Sequence, residues 1–386
     1  MDFDLTPEQQ DLRDAVAKLG KRYGHEYFVR KAKAGEHSDE LWEEAGRLGY
    51  LGVSVPEEFG GGGGGITELA IVCEELAAAG APLLLLVVSP AIAATIVNRH
   101  GTPDQRASLL PGFADGSLKV CFAITEPDAG SNFHKLATVA RRTDDGYVLN
   151  GRKVYISGVD ECAQIVVVAR LEDARTGKLK PALFLVPTDA PGLTASKLDM
   201  EIVSPENQFL LFLDDVRVPA GALIGGDVEA GLPALFSGLN PERITVAAMG
   251  CGIARYALER ASAYTATRSV WGRPVGSHQG VAHPLAHAHI QVELARLMVA
   301  KAAALYDAGR DLEAGVAANM AKYAAADAAA LAVDTAIQAL GGNGMTTEYG
   351  VATLLGAVRA GRIAPVSREM ILNFVAQHLL GQEKSY

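Results

Sequence analysis

The sequence lacks several features that would assign the protein to other functional classes. Its most apolar run, residues 82–88, is far shorter than the ~20 residues that a membrane-spanning helix needs, so no membrane insertion is predicted. Clusters of basic residues are missing, and the formal net charge is −10, which argues against nucleic acid as the main partner. The first four residues are acidic rather than basic in character, so no signal peptide is predicted.

Cysteine is scarce and follows no metal-binding or disulfide pattern. The chain has 4 cysteines, widely scattered and without a CxxC pair, which argues against a disulfide framework and a cysteine-ligated metal site. Such cysteines are typical of buried, reduced thiols and predict a cytoplasmic location. They are Cys73, Cys121, Cys162 and Cys251.

Other common catalytic patterns are also missing. His283 and His287 have the i, i+4 spacing of a helical zinc pair, but Pro284 stands where a zinc protease carries its catalytic glutamate, and no third ligand is evident. We therefore predict no metal site. Neither a GxSxG nucleophile motif nor a Walker A motif occurs in the chain.

The patterns that are present predict a mainly α protein with a β middle domain. Residues 1–118 carry helix signals such as the capping box that begins at Thr6, and form an N-terminal helical domain. Residues 119–232 contain short β-branched and aromatic runs between turn signals such as Asn150-Gly151, and predict an antiparallel, β-barrel-like domain. Residues 233–386 are rich in alanine with apolar residues at helical spacing, and predict a C-terminal four-helix bundle.

A run of six glycines, residues 60–65, matches the dinucleotide-binding pattern GxGxxG literally. That fingerprint requires a strand, a tight turn and a helix in direct succession. Here Pro56-Glu57-Glu58 intervenes between the apolar residues and the glycines. We therefore interpret the run as a flexible connection between helices.

The stretch Asn240-Pro241-Glu242 has the pattern of a helix start. Asn240 suits the N-cap, Pro241 the first helical position, and Glu242 the first turn, where the helix dipole favours a carboxylate. Taken alone, this pattern predicts only a capped helix.

Five short runs, in one order along the chain, resemble the acyl-CoA dehydrogenase family. Residues 122–131 (FAITEPDAGS) are similar to the first signature of that family, and residues 338–344 (QALGGNG) to its second. Residues 153–157 (KVYIS) resemble its Trp-Ile-Thr segment, while residues 268–272 (RSVWG) and 278–279 (HQ) resemble its Arg-x-x-Phe-Gly and His-Gln motifs. The resemblance covers essentially the whole chain and implies the acyl-CoA dehydrogenase fold.

The resemblance implies FAD as cofactor, and the residue types suit it. Thr125 can offer a hydroxyl and a backbone N–H to the flavin pyrimidine edge, and Tyr155 and Ser157, alternating on a strand, can form one wall. Gly130 allows close backbone approach to a pyrophosphate, and Arg268 can pair with it. The cofactor-binding residues implied are Phe122, Ile124, Thr125, Gly130, Ser131, Tyr155, Ile156, Ser157, Arg268, Trp271, Gln279, Gln338, Gly341, Gly342 and Ser367.

The resemblance also implies assembly. In this family the arginine and Gln-Gly-Gly motifs usually reach the flavin of a neighbouring subunit. We therefore expect a homo-oligomer, a tetramer or alternatively a dimer, built through the C-terminal bundles. Glu369 stands where the family has a glutamine near the flavin; a carboxylate near a diphosphate is unfavourable, so no role is assigned to it.

The position of the catalytic base departs from the common family pattern. Most members place the catalytic glutamate after the Gln-Gly-Gly motif, but this chain has Pro365 there, and proline cannot accept a proton. Isovaleryl-CoA dehydrogenase and a minority of members carry it in a Leu-Asp-Leu-Glu-Arg run, which residues 239–243 (LNPER) resemble. Glu242 is therefore the predicted base, and the predicted substrate-binding residues are Ser131, Asn240 and Arg243.

The resemblance implies an enzyme of fatty acid metabolism that converts an acyl-CoA thioester into a trans-2-enoyl-CoA. Glu242 removes the α-proton, the β-hydride passes to flavin N5, and an electron-transfer flavoprotein reoxidises the cofactor. Two alternatives remain: a flavin-dependent monooxygenase or oxidase on the same fold, and a non-catalytic subunit of a hetero-oligomeric dehydrogenase. Glu126, in the first signature, is interpreted as a structural residue at a strand end.

Overall fold

The computed structural model describes residues 4–384. Its first part is helical, and the predicted capping box is present: the Thr6 side chain accepts the Gln9 N–H, and the Gln9 side chain accepts the Thr6 N–H. A π-helical segment, Val87–Ala94, leads directly into the fourth helix. The helices are α1 (Pro7–Ala34), α2 (Asp39–Arg47), α3 (Ile66–Ala78), α4 (Thr95–His100) and α5 (Pro103–Asp115).

The glycine run forms the predicted connection as a loop that is hydrogen-bonded to the preceding segment, and its flexibility stays a prediction. The N–H groups of Gly62 and Gly64 donate to the carbonyls of Gly52 and Val53, each at 2.9 Å. A side chain at Gly61 would collide with the backbone of Val55, so glycine is required by close backbone approach. The loop leads into α3 and not to a nucleotide-binding strand–helix turn.

The middle part is a single seven-stranded sheet in the order β1-β4-β2-β3-β7-β6, with β5 paired to β4. The prediction of an antiparallel domain was wrong at two pairings, because β4 pairs in parallel with both β1 and β2. These parallel neighbours are far apart in sequence, and local turn signals do not reveal them. The strands are β1 (Val120–Ala123), β2 (Val139–Thr143), β3 (Gly146–Ser157), β4 (Gln164–Glu172), β5 (Leu179–Pro187), β6 (Leu193–Leu198) and β7 (Gln208–Pro219).

The C-terminal part contains long, closely packed helices, with a small hairpin between the first two. No helix in residues 4–384 is long and apolar enough to cross a membrane. The elements are α6 (Gly231–Thr267), β8 (Ser269–Val270), β9 (Arg273–Pro274), α7 (Gln279–Asp307), α8 (Asp311–Leu340), α9 (Leu355–Ala360) and α10 (Arg368–His378).

The predicted helix start at Asn240 was wrong. Helix α6 begins at Gly231 and continues through Asn240 and Pro241, which are both buried. Proline usually interrupts a helix, because its ring removes one N–H and crowds the carbonyl four residues earlier, here that of Ser237. In this structure the Tyr306 hydroxyl donates to that carbonyl at 2.9 Å. The helix continues because a distant side chain supplies the missing donor.

The helical parts are joined at their ends by side-chain contacts. The Asp307 carboxylate, at the end of α7, accepts the N–H groups of Ile66 and Thr67 at 2.7 and 2.9 Å. It therefore caps the start of α3, where unpaired N–H groups and the helix dipole favour an anion. This contact fixes the N-terminal helices against the bundle that carries Glu242.

Candidate active site

Glu242 is a half-buried carboxylate on α6, one residue after the buried Pro241. Burial raises its pKa to about 7, and the positive charges of Arg243 and Lys322 offset part of that rise. A carboxylate with a pKa near neutrality is suited to general-base chemistry, because it is ionised under working conditions and basic enough to take a proton.

Lys322, on α8, links Glu242 to the segment where the family usually has its base. The Lys322 side chain is 1% exposed, and its ammonium donates to the carbonyl of Val366, the residue after Pro365. The same ammonium is close enough to Glu242 to lower the pKa of that carboxylate. Lys322 therefore lies close both to Glu242 and to the segment that follows Pro365. Sequence reasoning missed Lys322, a lone lysine in an alanine-rich helix.

Asn240 and Arg243 lie on one side of α6 and contact each other. Arg243 Nη1 donates to Asn240 Oδ1 at 3.0 Å, and Asn240 Nδ2 donates to the Asp311 carbonyl at 3.3 Å. Arg243 Nε is buried and has no hydrogen-bond acceptor among the described residues. A buried donor without a partner is costly, so this guanidinium is suited to a polar group of a ligand.

The strand end that contains Thr125 is held by a buried ion pair. Lys153 Nζ donates to Glu126 Oε1 at 2.8 Å and to the Ile124 carbonyl at 3.1 Å. The N–H groups of Ala137 and Thr138 donate to the same carboxylate. Burial alone would raise the pKa of Glu126, but Lys153 and the backbone donors outweigh it and lower the pKa. The structural interpretation of Glu126 is therefore confirmed.

Tyr155 departs from the regular strand that the sequence predicted. The pairing of β3 with β7 is interrupted between Lys153 and Ile156, and Tyr155 has φ 59°, in the left-handed region. The argument from strict alternation with Ser157 therefore fails here, since a bulge shifts the faces. Tyr155 is 62% exposed, and the Ser157 hydroxyl donates to Gln208 Oε1 at 3.1 Å.

Trp271 is also strained and exposed. It occupies the two-residue turn of the β8–β9 hairpin with φ 52°, followed by Gly272 with φ 81°, where Asn-Gly is the favoured pair. Its side chain is 88% exposed. Of the three described non-glycine residues with positive φ, two, Trp271 and Tyr155, belong to the predicted cofactor set. Backbone strain of this kind is concentrated at functional sites.

The remaining predicted cofactor residues fall into two groups. Near the strand ends, Phe122 and Ile156 are buried, and Gly130 and Ser131 are exposed, with open space where a side chain at Gly130 would lie. Ser367 is the N-cap of α10, where its hydroxyl accepts the Met370 N–H at 3.2 Å. The second group, at the far end of α6, is exposed: Arg268, Gln279, Gln338, Gly341 and Gly342.

This far group is assembled around the last turn of α6. Tyr264 Oη accepts a hydrogen bond from Asn343 Nδ2 at 3.1 Å, and the Tyr264 carbonyl accepts the Arg268 N–H at 2.9 Å. Arg268 lies about 39 Å along α6 from Glu242, at a helical rise of about 1.5 Å per residue. One FAD molecule is shorter than that span. A flavin that lies at Glu242 could therefore not also place its diphosphate at Arg268 of the same chain.

The residues that could hold a metal ion are not among the predicted active-site residues. His283 and His287 are both exposed on α7. Within residues 4–384, the group of three acidic or histidine side chains close enough to share an ion is His37, Asp160 and Glu161. Lys119 already pairs with Glu161 at 2.8 Å, and this group lies outside the residues predicted to act.

Each of the two groups offers features that fit part of an FAD molecule. Two exposed aromatic side chains, Tyr155 and Trp271, offer flat apolar surfaces. Arg268 is exposed and, among the described residues, forms no ion pair with a carboxylate, which leaves it free for a diphosphate. Open space at Gly130 allows a phosphate to approach the backbone.

Comparison with known proteins gives matches along the whole chain. Family models described as acyl-CoA dehydrogenase N-terminal, middle and C-terminal domains match residues 6–117, 121–209 and 229–380. The acyl-CoA dehydrogenase FadE12 of Mycobacterium tuberculosis (strain ATCC 25618 / H37Rv) is 59% identical over 384 residues, which cover 100% of this chain and 99% of the relative.

Solved structures agree. A glutaryl-coenzyme A dehydrogenase in complex with glutaryl-CoA is 30% identical, with a TM-score of 0.93 over 100% of this chain and 98% of its own. A glutaryl-CoA dehydrogenase from Mycobacterium smegmatis in complex with FADH2 is 27% identical, with a TM-score of 0.89 over 99% of this chain and 97% of its own. Because the three domain models follow one another along the chain and a relative is similar from end to end, the protein belongs to the FAD-dependent acyl-CoA dehydrogenases, a family of oxidoreductases.

Proposed function

We propose that the protein oxidises an acyl-CoA thioester to a trans-2-enoyl-CoA, with Glu242 as the base that removes the α-proton. The observation that carries this proposal is the Glu242 carboxylate itself, with a pKa raised to about 7 by burial. Pro365 stands at the alternative base position, and the next residue, Val366, accepts a hydrogen bond from Lys322, which supports a shared region for the two positions. Glu242 is thus the carboxylate at the two positions that the family uses.

The other residues bind and orient. Arg243, with its free buried Nε, and Asn240 are suited to polar groups of the CoA arm near the thioester. Thr125 and Ser131, at the strand end held by Glu126 and Lys153, are suited to cofactor and substrate contacts. FAD, when bound, supplies the acceptor for the β-hydride. Exclusion of water by bound substrate strengthens the basicity of the carboxylate.

The test is a panel of straight, branched and dicarboxylic acyl-CoAs assayed with an artificial electron acceptor. Glu242→Gln is expected to lower kcat by about 10²–10⁴-fold, because a positioned general base contributes that much. The matched control is Glu259→Gln, an exposed glutamate on the same helix, which should retain wild-type turnover. Undiminished turnover in Glu242→Gln would disprove the assignment of the base.

A second variant examines whether the two base positions face one substrate. Pro365→Glu in a Glu242→Gln background is expected to restore part of the lost turnover. Recovery in Pro365→Glu but not in Pro365→Gln would tie the effect to the carboxylate. Absence of any recovery, in a variant that still binds flavin, would contradict a shared substrate region.

The same assays separate the alternatives. A flavin oxidase or monooxygenase would consume oxygen without dependence on acyl-CoA, and a non-catalytic subunit would purify without yellow flavin absorbance. The presence of Glu242 with a near-neutral pKa favours the dehydrogenase over both, because neither alternative requires that base.

We also propose a homo-oligomer, a tetramer or alternatively a dimer, that passes electrons to an electron-transfer flavoprotein. Helix α7 exposes an apolar stripe at i, i+4 and i+7, in which Ile290, Leu294 and Leu297 are 55%, 53% and 51% exposed. Such a stripe suits a helix of a second copy. The distance from Arg268 to Glu242 gives an independent reason for a second copy. The four buried, unpaired cysteines support a cytoplasmic location.

A further inference from the structure

Glu242 directly follows a proline that lies inside a helix. Pro241 lies inside α6, so the Ser237 carbonyl, four residues earlier, does not receive the usual hydrogen bond from the N–H of residue 241. An unpaired carbonyl in a buried helix is unfavourable, and a helix missing this bond bends at that point. The direction of the next side chain, Glu242, therefore depends on which donor replaces the missing hydrogen bond to the Ser237 carbonyl.

Tyr306, on α7, supplies a hydrogen-bond donor to the Ser237 carbonyl. Its hydroxyl donates to the Ser237 carbonyl at 2.9 Å, and its side chain is 3% exposed. The Ser237 hydroxyl does not compete, because it donates to the Ala234 carbonyl at 2.7 Å. Burial raises the pKa of Tyr306, so the hydroxyl keeps its proton and remains a donor at any working pH.

The tyrosine is itself fixed. The Arg99 guanidinium lies over its ring at 4.1 Å from the centroid, and pairs with the Asp311 carboxylate at 3.0 Å. The Asp311 carbonyl accepts Asn240 Nδ2 at 3.3 Å, which returns the network to α6, two residues before Glu242. A ring that is held by Arg99 on one face and by the hydrogen bond of its own hydroxyl can define the position of the carbonyl that it contacts.

We propose that Tyr306 is a positioning residue for Glu242: its hydroxyl replaces the hydrogen bond that Pro241 removes from α6, and it thereby sets the direction of the base. This inference rests on the proposed role of Glu242. It predicts a specific dependence, since the hydroxyl is needed only while residue 241 lacks an N–H.

A double-mutant cycle on the holoenzyme tests that dependence. Tyr306→Phe is expected to lower kcat by about tenfold or more, because small misplacements of a reacting group are costly, and to change KM by less than about threefold. In Pro241→Ala, the new N–H can donate to the Ser237 carbonyl. Adding Tyr306→Phe to Pro241→Ala should then change kcat by less than about twofold.

The matched control is Tyr256→Phe, which removes a buried hydroxyl from α6 away from the proline; that hydroxyl accepts from Arg260 at 2.9 Å. It should leave kcat unchanged in both backgrounds. An equal effect of Tyr306→Phe in the wild-type and in the Pro241→Ala backgrounds would overturn the inference, as would wild-type kcat in Tyr306→Phe. If Tyr306→Phe does not fold, the comparison of Pro241→Ala with the double variant decides, and a tenfold loss there overturns the inference.

Failure of this inference differs from failure of the proposed function. Loss of turnover in Glu242→Gln together with wild-type kcat in Tyr306→Phe removes the role of Tyr306 alone. Full turnover in Glu242→Gln removes the base instead, whatever the cycle shows.

Discussion

The two ends of α6 have opposite characters. Around Glu242, the polar groups find partners inside the chain: Tyr306 completes the helix at Ser237, and Asn240 joins Arg243 to Asp311. At the other end, Arg268 is exposed and Trp271 is strained and 88% exposed. Apart from Arg243 Nε, the hydrogen-bonding groups described at the first end are paired within one chain, whereas Arg268 at the second end forms no ion pair with a described carboxylate.

The difference indicates how the site is distributed. A base requires a fixed direction, so its surroundings are built into the bundle of its own chain. The predicted cofactor residues Arg268 and Trp271 are exposed instead, as expected of side chains that would meet a ligand bound to a second copy. Helix α6, on which Glu242 and Arg268 lie about 39 Å apart, would then contribute to two active sites, one near each end.

Complementation between two inactive variants, one altered at each end of α6, is the most direct test of this difference. Glu242→Gln removes the base and Arg268→Glu repels the diphosphate, so each variant alone should retain less than about 1% of wild-type activity. Coexpressed in equal amounts, half of the pairs are mixed, and one of the two sites in each mixed pair is intact. Recovery of about a quarter of wild-type activity is expected, measured in the acyl-CoA assay.

The control for complementation is a coexpression in which one copy carries both substitutions and the other carries neither. Such mixed pairs contain one site with each single defect, so activity should come only from wild-type pairs, again about a quarter. Recovery absent from the first mixture but present in the second would place both residues in one chain's site.

A smaller effect is expected from substitution of Lys322, which concerns only the end of α6 that carries Glu242. Its charge lowers the pKa of Glu242 against the effect of burial, so Lys322→Met should raise that pKa above about 7. A base with a higher pKa is protonated at higher pH, and the acidic limb of the kcat/KM profile should move upward by about one pH unit. Activity at pH 6 should fall by about tenfold, with recovery in alkaline buffer.

The control for Lys322 is Lys301→Met, an exposed lysine on α7, which should leave the profile unchanged. An acidic limb that stays in place, or moves to lower pH, would show that another group governs the profile. A loss of activity that is equal at all pH values would point to the lost contact with Val366 instead.

The sequence predicted the family and the three-part fold better than the interior of α6. The five family-like runs are local, and for that reason the first signature, the Gln-Gly-Gly segment and the three-part fold were readable. The helix start at Asn240 was wrong because an Asn-Pro-Glu pattern has the same signals at a start and at a repaired proline inside a helix. The repair comes from Tyr306, 65 positions further along than Pro241, and no local rule connects them.

The same limit applies to the other misreadings. Parallel pairing of β4 with β1 joins Cys121 to Ile165, across two intervening strands. The left-handed conformation of Tyr155 arises at a bulge against β7, which an alternating pattern conceals. Lys322 acquires its role only when α8 is placed against α6. In each case the cause is a contact between segments distant in sequence.

The smallest expected effect concerns the stability of the folded protein, and it follows from the buried carboxylate of Glu242. The pKa of Glu242 is about 7 in the folded protein and 4.5 ordinarily, so folding favours the protonated form. Below pH 4.5 the group is neutral in both states and no penalty arises; between 4.5 and 7 the unfolded chain ionises first, and stability falls as pH rises.

Glu242→Gln removes that penalty. We expect its Tm to exceed that of the wild type by a few °C at pH 8, corresponding to about 1–3 kcal/mol, and to equal it near pH 4.5. Thermal unfolding monitored by circular dichroism at both pH values, with Glu259→Gln as the exposed control, measures the difference. A stabilisation that is the same at both pH values would mean that the amide improves packing. The charge of the buried Glu242 carboxylate would then not be what destabilises the folded protein.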